Sequence, residues 1–432
     1  MLKPQFCRHE TQSSNQVPVD LLVDILSLVP AKSIARFRCV SKLWASIFRR
    51  QDFTELFLTK SSTRPLLLFT FKVDDKLFLY STIQPHNPDD NSSLVATPFK
   101  SFPKNVPSST STPVCGLVLL HGWRKKVRVI CNPATGEFRP LPRVLLKEKL
   151  AKNNNYRDTI AKEKIVGMYL GYDPKGKHFK VLCMSTSRYG IRDNTHRVLT
   201  LGPGKRFWRP VEHKFHFVKN PNKSREICIN GVLYFGAWFE RSSTIVCFNV
   251  GSEKFSFIYT YEDMSRSYYG DYLTLFNYKG KLGLLEDSSQ DKLMFWVLED
   301  AENHKWSKHV YVLPPLEEDV ITYTMFVGVS GTGEFVWSSS YNGPPHSLYL
   351  TFYNLESGTC RKVYIRGLDE FKQNRSLSIK TYLDYVENVK CLIDLNQMGV
   401  VTEENMVESM FMTTMEDIKH AEESSYQQRT RG

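Results

Sequence analysis

The stretch from Val17 to Phe48, VPVDLLVDILSLVPAKSIARFRCVSKLWASIF, sets the organisation of the chain. Two prolines divide it into short helices. Pro18 suits a helix start, where its missing N–H costs nothing, and Asp20 falls in the favourable first turn. Leu21, Leu22, Ile25, Leu26 and Val29 follow at one-, three- and four-residue steps, which predicts one wide apolar face. Pro30 stops that helix and opens a second containing Ile34 and Phe37. Ser41 is the expected N-cap of a third, which carries Trp44, Ile47 and Phe48.

A segment of about forty residues does not bury enough surface to fold alone. Full burial of a Leu, Ile or Phe is worth roughly 1.5–3 kcal/mol, so an unused apolar face is costly. Two readings follow: the face packs on the rest of the chain, or part of it docks a helix of another protein.

Val17-Pro18, Asp20-Leu21-Leu22, Ile25-Leu26, Pro30-Ala31-Lys32-Ser33, Arg36 to Lys42 and Trp44 together resemble the F-box of a large plant family. Val29 and Ile34 stand where leucine is usual and keep the apolar character. The resemblance implies docking on a Skp-type adaptor, and through it on the cullin scaffold of a ubiquitin ligase whose chemistry other subunits perform. The implied adaptor-facing or interface-shaping set is Pro18, Leu22, Ile25, Leu26, Val29, Pro30, Ile34, Val40 and Trp44. Phe37 and Cys39 are candidates for the segment's own small core.

After a further short helix at 52–60, capped by Asp52, the texture changes. From about residue 64 to 392 short strands alternate with turns. Val127, Val129 and Cys131 share one face of a strand, and Phe255, Phe257 and Tyr259 one face of another. The turns repeat: Asn132 to Phe138, Asn249 to Phe255 and Asn354 to Cys360 align, each with an Asn ahead of a hydroxyl residue and a Gly or Glu. That is hairpin chemistry, in which Asn closes the turn and Gly accepts positive φ. Units of this length suit propeller blades. About six are counted, at 66–83, 113–142, 165–211, 225–261, 271–315 and 323–366, and strands near 376–391 close the ring on the first. The expected fold is therefore a small all-α unit followed by an all-β, kelch-like propeller, with a β-sandwich or jelly roll as the alternative. Trp208, Trp238, Trp296, Trp306 and Trp337 recur about once per blade and are expected between blades.

Gly116 to Leu119, Ile130 to Gly136, Gly171 to Pro174, Lys180 to Met184, Ile229 to Tyr234 and Trp296 to Asp300 resemble the F-box-associated domain of the same plant family. That domain implies recognition of a protein target without naming it. Residues 84–113 read as a surface loop, 146–164 as a charged, frayed helix, and 1–16 and 396–432 as disordered ends.

The 432 residues carry a net charge of +12, but the basic residues are spread along the chain. The one compact cluster, Arg124, Lys125, Lys126 and Arg128, reads as a solvated hairpin end, and nucleic acid is not the expected partner. No stretch has the apolar length of a membrane span. Nine scattered cysteines without a CxxC pair suit a reducing cytosolic or nuclear compartment. There is no GxxxxGK[ST], GxSxG or HExxH motif. His213 and His216 point to opposite faces of an extended chain. Glu317, Glu318 and Asp319 read as a solvated loop. The sequence therefore predicts a receptor without catalysis, metal or cofactor, the alternatives being a propeller binding module with no ligase role and, more weakly, a nucleic-acid binder.

Overall fold

The computed structural model describes residues 17–392, apart from 86–92, 103–108, 122–126, 147, 152–158, 188–195, 203–206, 213–216, 220–225, 240–241, 261–273, 289–291, 314–323, 340–346, 372–376 and 391. The two chain ends, His213 and His216, the acidic run at 317–319 and the cluster at 124–126 lie outside the described residues. Arg128 is half-buried, and burial pulls its guanidinium pKa down, so it is not a solvated hairpin tip.

Four helices, α1 (Val19–Ser27), α2 (Ala31–Phe37), α3 (Lys42–Ile47) and α4 (Gln51–Ser62), precede six sheets. From inner to outer strand, blade 1 is Lys380–Tyr385, Leu66–Val73, Lys76–Ile83 and Thr97–Phe102. Blade 2 is Ser109–Thr110, Val118–His121, Val129–Asn132 and Glu137–Pro140. Blade 3 is Thr159–Asp173, His178–Ser187, Arg197–Leu201 and Arg209–Pro210, with Glu148–Ala151 paired to the start of its inner strand. In blade 4, Ile227–Ile229 and Val218–Lys219 both pair with Val232–Phe239, followed by Ser242–Asn249 and Lys254–Tyr259. Blade 5 is Thr274–Tyr278, Lys281–Ser288, Lys292–Asp300 and Lys305–Val312. Blade 6 is Thr324–Val329, Phe335–Ser339, Tyr349–Tyr353 and Cys360–Arg366, with Leu94–Val95 added in parallel at its outer edge.

The ring closes where the sequence placed it. Tyr385 pairs with Leu66 and Lys380 with Thr70, which sets the last strand inside the first. The fold is a six-bladed propeller, not a sandwich. Alternate residues of one strand serve two neighbouring blades: Val129 and Cys131 pack towards blade 1, and Ile130 towards blade 3. Six such inter-blade cores form the β domain. Trp306 and Trp337 are buried in two of them, whereas Trp208, Trp238 and Trp296 are half-buried.

The hairpin repeat is wider than the three turns read from sequence. Asn132, Asp173, Asn249, Asp300 and Asn354 each accept a backbone N–H two or three residues on. The residue four places on has positive φ in every case: Gly136, Lys177, Glu253, His304 and Gly358. At the blade 4 turn Glu253 takes that conformation, at the position that aligns with Gly136 and Gly358. Its carboxylate reaches blade 3, where it accepts from Lys180 at 2.7 Å and pairs with Arg209. Burial alone raises the Glu253 pKa, but Arg209 and Lys180 outweigh it and hold the carboxyl below its ordinary value.

Three expectations are corrected. Residues 84–113 hold Leu94–Val95, the outer strand Thr97–Phe102 and the inner strand Ser109–Thr110, with Ala96 and Phe102 buried. Pro98 is tolerated there because the strand is an edge. The charged stretch 146–164 supplies strands at Glu148–Ala151 and from Thr159, not a helix. The cap of α4 also differs: α4 starts at Gln51, and Asp52 sits in its first turn, accepting from Phe53 N at 2.8 Å.

Strands alternate in direction, so in blades 2 to 6 the connections from first to second and from third to outer strand lie on one face, and in blade 1 the helices stand where an inner hairpin would be. That face carries the turns at 133–136, 174–177, 230–231 and 279–280 in a ring. Asn230 Nδ2 donates to Gly280 O at 3.1 Å, and Gly331 N donates to Asp384 Oδ1 at 3.1 Å. The helices enter the propeller on this near face. The connections between second and third strands, and from blade to blade, leave on the far face.

Candidate functional site

The helical segment is built on two faces of α1. Leu22, Leu26 and Val29 turn inward and join Ala31, Ile34, Phe37, Trp44, Ile47, Phe48, Phe53 and Phe57 in one core. Phe37 and Trp44 meet edge to face at 5.2 Å. Ser41 caps α3 by accepting from Leu43 N at 3.1 Å, as its sequence position predicts. Leu21, Ile25 and Leu28 form the adjoining stripe, one residue and so about 100° round the helix, and are 55%, 57% and 57% exposed. Val17, Val19, Val40 and Leu43 are exposed as well. A short helix whose apolar face is wider than the part its own core covers has the remainder to spare for a partner.

The predicted set therefore divides. Pro18, Ile25, Pro30 and Val40 are exposed; Leu22, Val29 and Trp44 are half-buried; Leu26 and Ile34 are fully inside the helical core. Phe37 belongs to that core, but Cys39 is exposed. Leu28 and Leu43 were not singled out from sequence, and Leu21 was read as part of the apolar face but not placed in the adaptor-facing set. For Leu21 and Leu28 the signal was present in the 21–25–28 spacing, which runs beside the 22–26–29 stripe.

The seam with the propeller is a second construction. The core of the helices includes Ala134 of blade 2 and Val389 beyond the closing strand. Arg38 donates to the Val389 carbonyl and pairs with Glu137 at 3.5 Å. Arg64 donates to the carbonyls of Ser27, Leu28 and Val29, gathering the end of α1. Glu387 accepts from Ala31 N and gives its own N–H to Ser61 Oγ at 2.8 Å. Burial pushes the Glu387 carboxyl up, against the opposing pull of the Ala31 hydrogen bond and the Arg64 charge.

Two cavities accompany these surfaces. One, of about 240 Å³, is the central channel, lined by inner-strand residues such as Ile227, Asn277, Val327, Thr381 and Asp384. Asp384 is engaged there by Gln84 Nε2 and Gly331 N. The other, of about 430 Å³, lies between α4 and blade 3. Among the described residues no three His, Cys, Asp or Glu side chains gather as a metal site, and no helix is long and apolar enough to cross a membrane.

Comparison with known proteins agrees with this division of the chain. The F-box domain matches residues 15–56, and the F-box associated beta propeller domain matches residues 66–386. The chain is 44% identical over 388 residues to F-box protein At1g53790 of Arabidopsis thaliana, covering 87% of this chain and 82% of that one. It is 40% identical over 395 residues to F-box protein DOR of the same organism, covering 87% and 94%. Among solved structures, TolB from Acinetobacter baumannii aligns with a TM-score of 0.38 at 11% identity, over 75% of this chain and 70% of that one, a likeness too low to carry a conclusion. With both domains matched in order, the chain belongs to the F-box family whose members carry an F-box-associated β-propeller.

Proposed function

We propose that this chain is the substrate-recognition subunit of a Skp–cullin–F-box ubiquitin ligase. The observation that carries the reading is the exposed Leu21–Ile25–Leu28 stripe of α1, backed by a helical core that needs none of these three residues. A Skp-type adaptor covers that stripe together with Val40 and Leu43, and links the chain to a cullin. The chain supplies no catalytic group. It holds a protein target so that target lysines stay near a ubiquitin-charged conjugating enzyme, which raises their effective concentration.

The seam supports this mechanism, because Arg38, Arg64 and Glu387 fix the helices on the near face and so fix the direction in which a target is held. The far face is the target side in this reading. Two of its blade-to-blade connections, from Tyr259 to Thr274 and from Arg366 to Lys380, are long, although Val73 to Lys76 and Phe239 to Ser242 on the same face are short. Long loops on a rigid scaffold commonly carry recognition. The scattered cysteines suit work in the cytosol or nucleus.

The test is binding of the purified chain to a Skp-type adaptor, with Leu21→Asp and Ile25→Asp beside the parent and circular dichroism to verify folding. Binding by the parent and its loss in both folded variants supports the ligase reading. A folded parent that does not bind overturns it and leaves a propeller that binds its partner outside any ligase.

A further inference from the structure

We propose that the cleft between α4 and blade 3 is a binding site for a small organic anion with an apolar body. Its volume of about 430 Å³ falls in the ~300–1,000 Å³ range of small-ligand pockets. Gln51, Thr54, Glu55 and Leu58 form one wall; their three- and four-residue spacing puts them on one face of α4. The facing wall is Tyr172, Phe179 and Leu201 of blade 3, and Phe48 adds a third ring. Phe48, Phe179 and Leu201 are each 1% exposed and back the cleft as a packed floor, while half-buried Leu58 and Tyr172 supply the apolar surface open to a guest.

The charge at this cleft is lopsided. Arg49 and His178 are exposed beside it, and Lys177 is half-exposed. Lys390 stands 5.7 Å from the centre of the Phe179 ring. Glu55 is the one acid among the described lining residues, and it is already engaged: Gln51 Nε2 donates to it at 2.9 Å and Lys177 lies 3.7 Å away. A neutral apolar guest gains only the burial of its own surface. A carboxylate, sulfonate or phosphate on that guest also meets guanidinium and ammonium groups placed at the edge of an apolar cavity, where such pairing is strong. The guest touches the helical segment and the propeller at once, so its binding stabilises their seam by mass action. This site does not depend on the ligase reading.

The probe is 8-anilinonaphthalene-1-sulfonate, an aromatic anion that fluoresces when bound in an apolar site, titrated into the full chain. We expect one saturable site per chain, displaced by 1-naphthoate and not by the same concentration of uncharged 1-naphthamide. Affinity falls about tenfold or more in Arg49→Gln/Lys177→Gln, and in Thr54→Trp, which fills the cleft from its α4 wall. It is unchanged in Leu21→Asp/Ile25→Asp, whose altered surface is the exposed stripe of α1. Circular dichroism and thermal melting confirm that each variant is folded. Equal displacement by the amide, unchanged affinity in both folded cleft variants, loss of the signal in the α1 variant, or no saturable binding by the folded parent overturns the proposal. Failure of adaptor binding has no bearing on any of these readings.

Discussion

The carboxylate of Glu387 accepts the backbone N–H of Ala31 at 3.3 Å, across 356 positions of chain. Ala31 opens α2, whose N-cap is Pro30 and offers no side-chain acceptor. The orphan N–H of a helix start is thus satisfied by a residue just beyond the ring-closing strand. The arrangement has a pH signature. Burial raises the Glu387 carboxyl above its ordinary value of 4.5. A carboxyl raised in the folded state makes that state bind more protons than the unfolded one, so stability falls as pH rises from the unfolded value through the folded one. Glu387→Gln keeps an acceptor and removes the titration. Its melting temperature, relative to the parent, should therefore climb between pH 4.5 and pH 7; the same offset at both pH values would count against this role.

Neighbouring residues on α1 should fail in opposite ways. Leu26 is 3% exposed in the helical core, so Leu26→Ala leaves a cavity and costs about 2–5 kcal/mol of stability. Ile25 is 57% exposed, and Ile25→Asp should change stability by only about 0.5 kcal/mol, the usual range for a surface site. Adaptor binding by Ile25→Asp should nonetheless be lost, since a carboxylate would be buried unpaired in the complex. Chemical denaturation and a binding titration on the same two preparations check both halves. A large stability loss in Ile25→Asp would mean that the stripe packs on the chain itself.

Much of this architecture was legible because hairpin turns have strict local chemistry. An Asn or Asp that closes a turn and a left-handed residue four places on leave a trace at 132, 249 and 354 that survives strand divergence. The trace was blurred at 173 and 300, where Asp stands for Asn and Lys177 and His304 take the left-handed position without glycine; at the 249 turn Glu253 takes it, and its carboxylate joins Lys180 and Arg209 of the neighbouring blade. The strand Thr97–Phe102 read as a loop because Pro98 and the polar residues near it signal a turn, yet an outer strand needs no donor on its free edge. On α1, composition hid the site. Leu21, Leu22, Ile25 and Leu26 are all apolar, and spacing alone does not say which stripe the rest of the chain will cover. The seam was illegible for a different reason: Arg38 with Glu137, and Ala31 with Glu387, are separated by 99 and 356 positions, and no local pattern encodes such pairs.

Blade 6 contains an ion pair that should be costly to break and cheap to replace. Arg361 donates to Glu334 through Nε and Nη2 at 3.0–3.2 Å, and the two side chains are 5% and 7% exposed. The guanidinium also lies 4.4 Å over the Phe352 ring. Glu334→Ala strands a buried cation and should cost about 3–5 kcal/mol. Replacing both partners, as Glu334→Leu/Arg361→Met, should recover much of that loss, because neither charge then has to be desolvated. Urea denaturation of Glu334→Leu, Arg361→Met and the double variant measures the coupling, and simple additivity would show that the pair does not act as a unit.

Gly116 and Gly136 share a left-handed backbone, φ +82° and +72°, but not a setting. A Cβ on Gly136 would meet nothing within 4 Å. One on Gly116 would lie 2.6 Å from Asn388 Cβ and 2.7 Å from Val386 O. The chain beyond the closing strand crosses directly over this turn and is tied to it: Tyr385 Oη donates to Gly116 O at 3.1 Å, and Asn388 Nδ2 to Cys115 O at 2.6 Å. Asn132 of blade 2 holds the same chain by donating to Asn388 O at 2.8 Å. Gly136→Ala should therefore cost only the roughly 1–2 kcal/mol of left-handed strain. Gly116→Ala should cost more, because the crossing chain must shift, and with it Glu387 and Val389, which hold α2 and the helical core. Amide hydrogen exchange separates the two effects. In Gly116→Ala protection should drop in blade 2 and across the helical segment, and in Gly136→Ala only around its own turn. Equal melting temperatures for the two variants would show that the crossing carries no load between the ring closure and the helices.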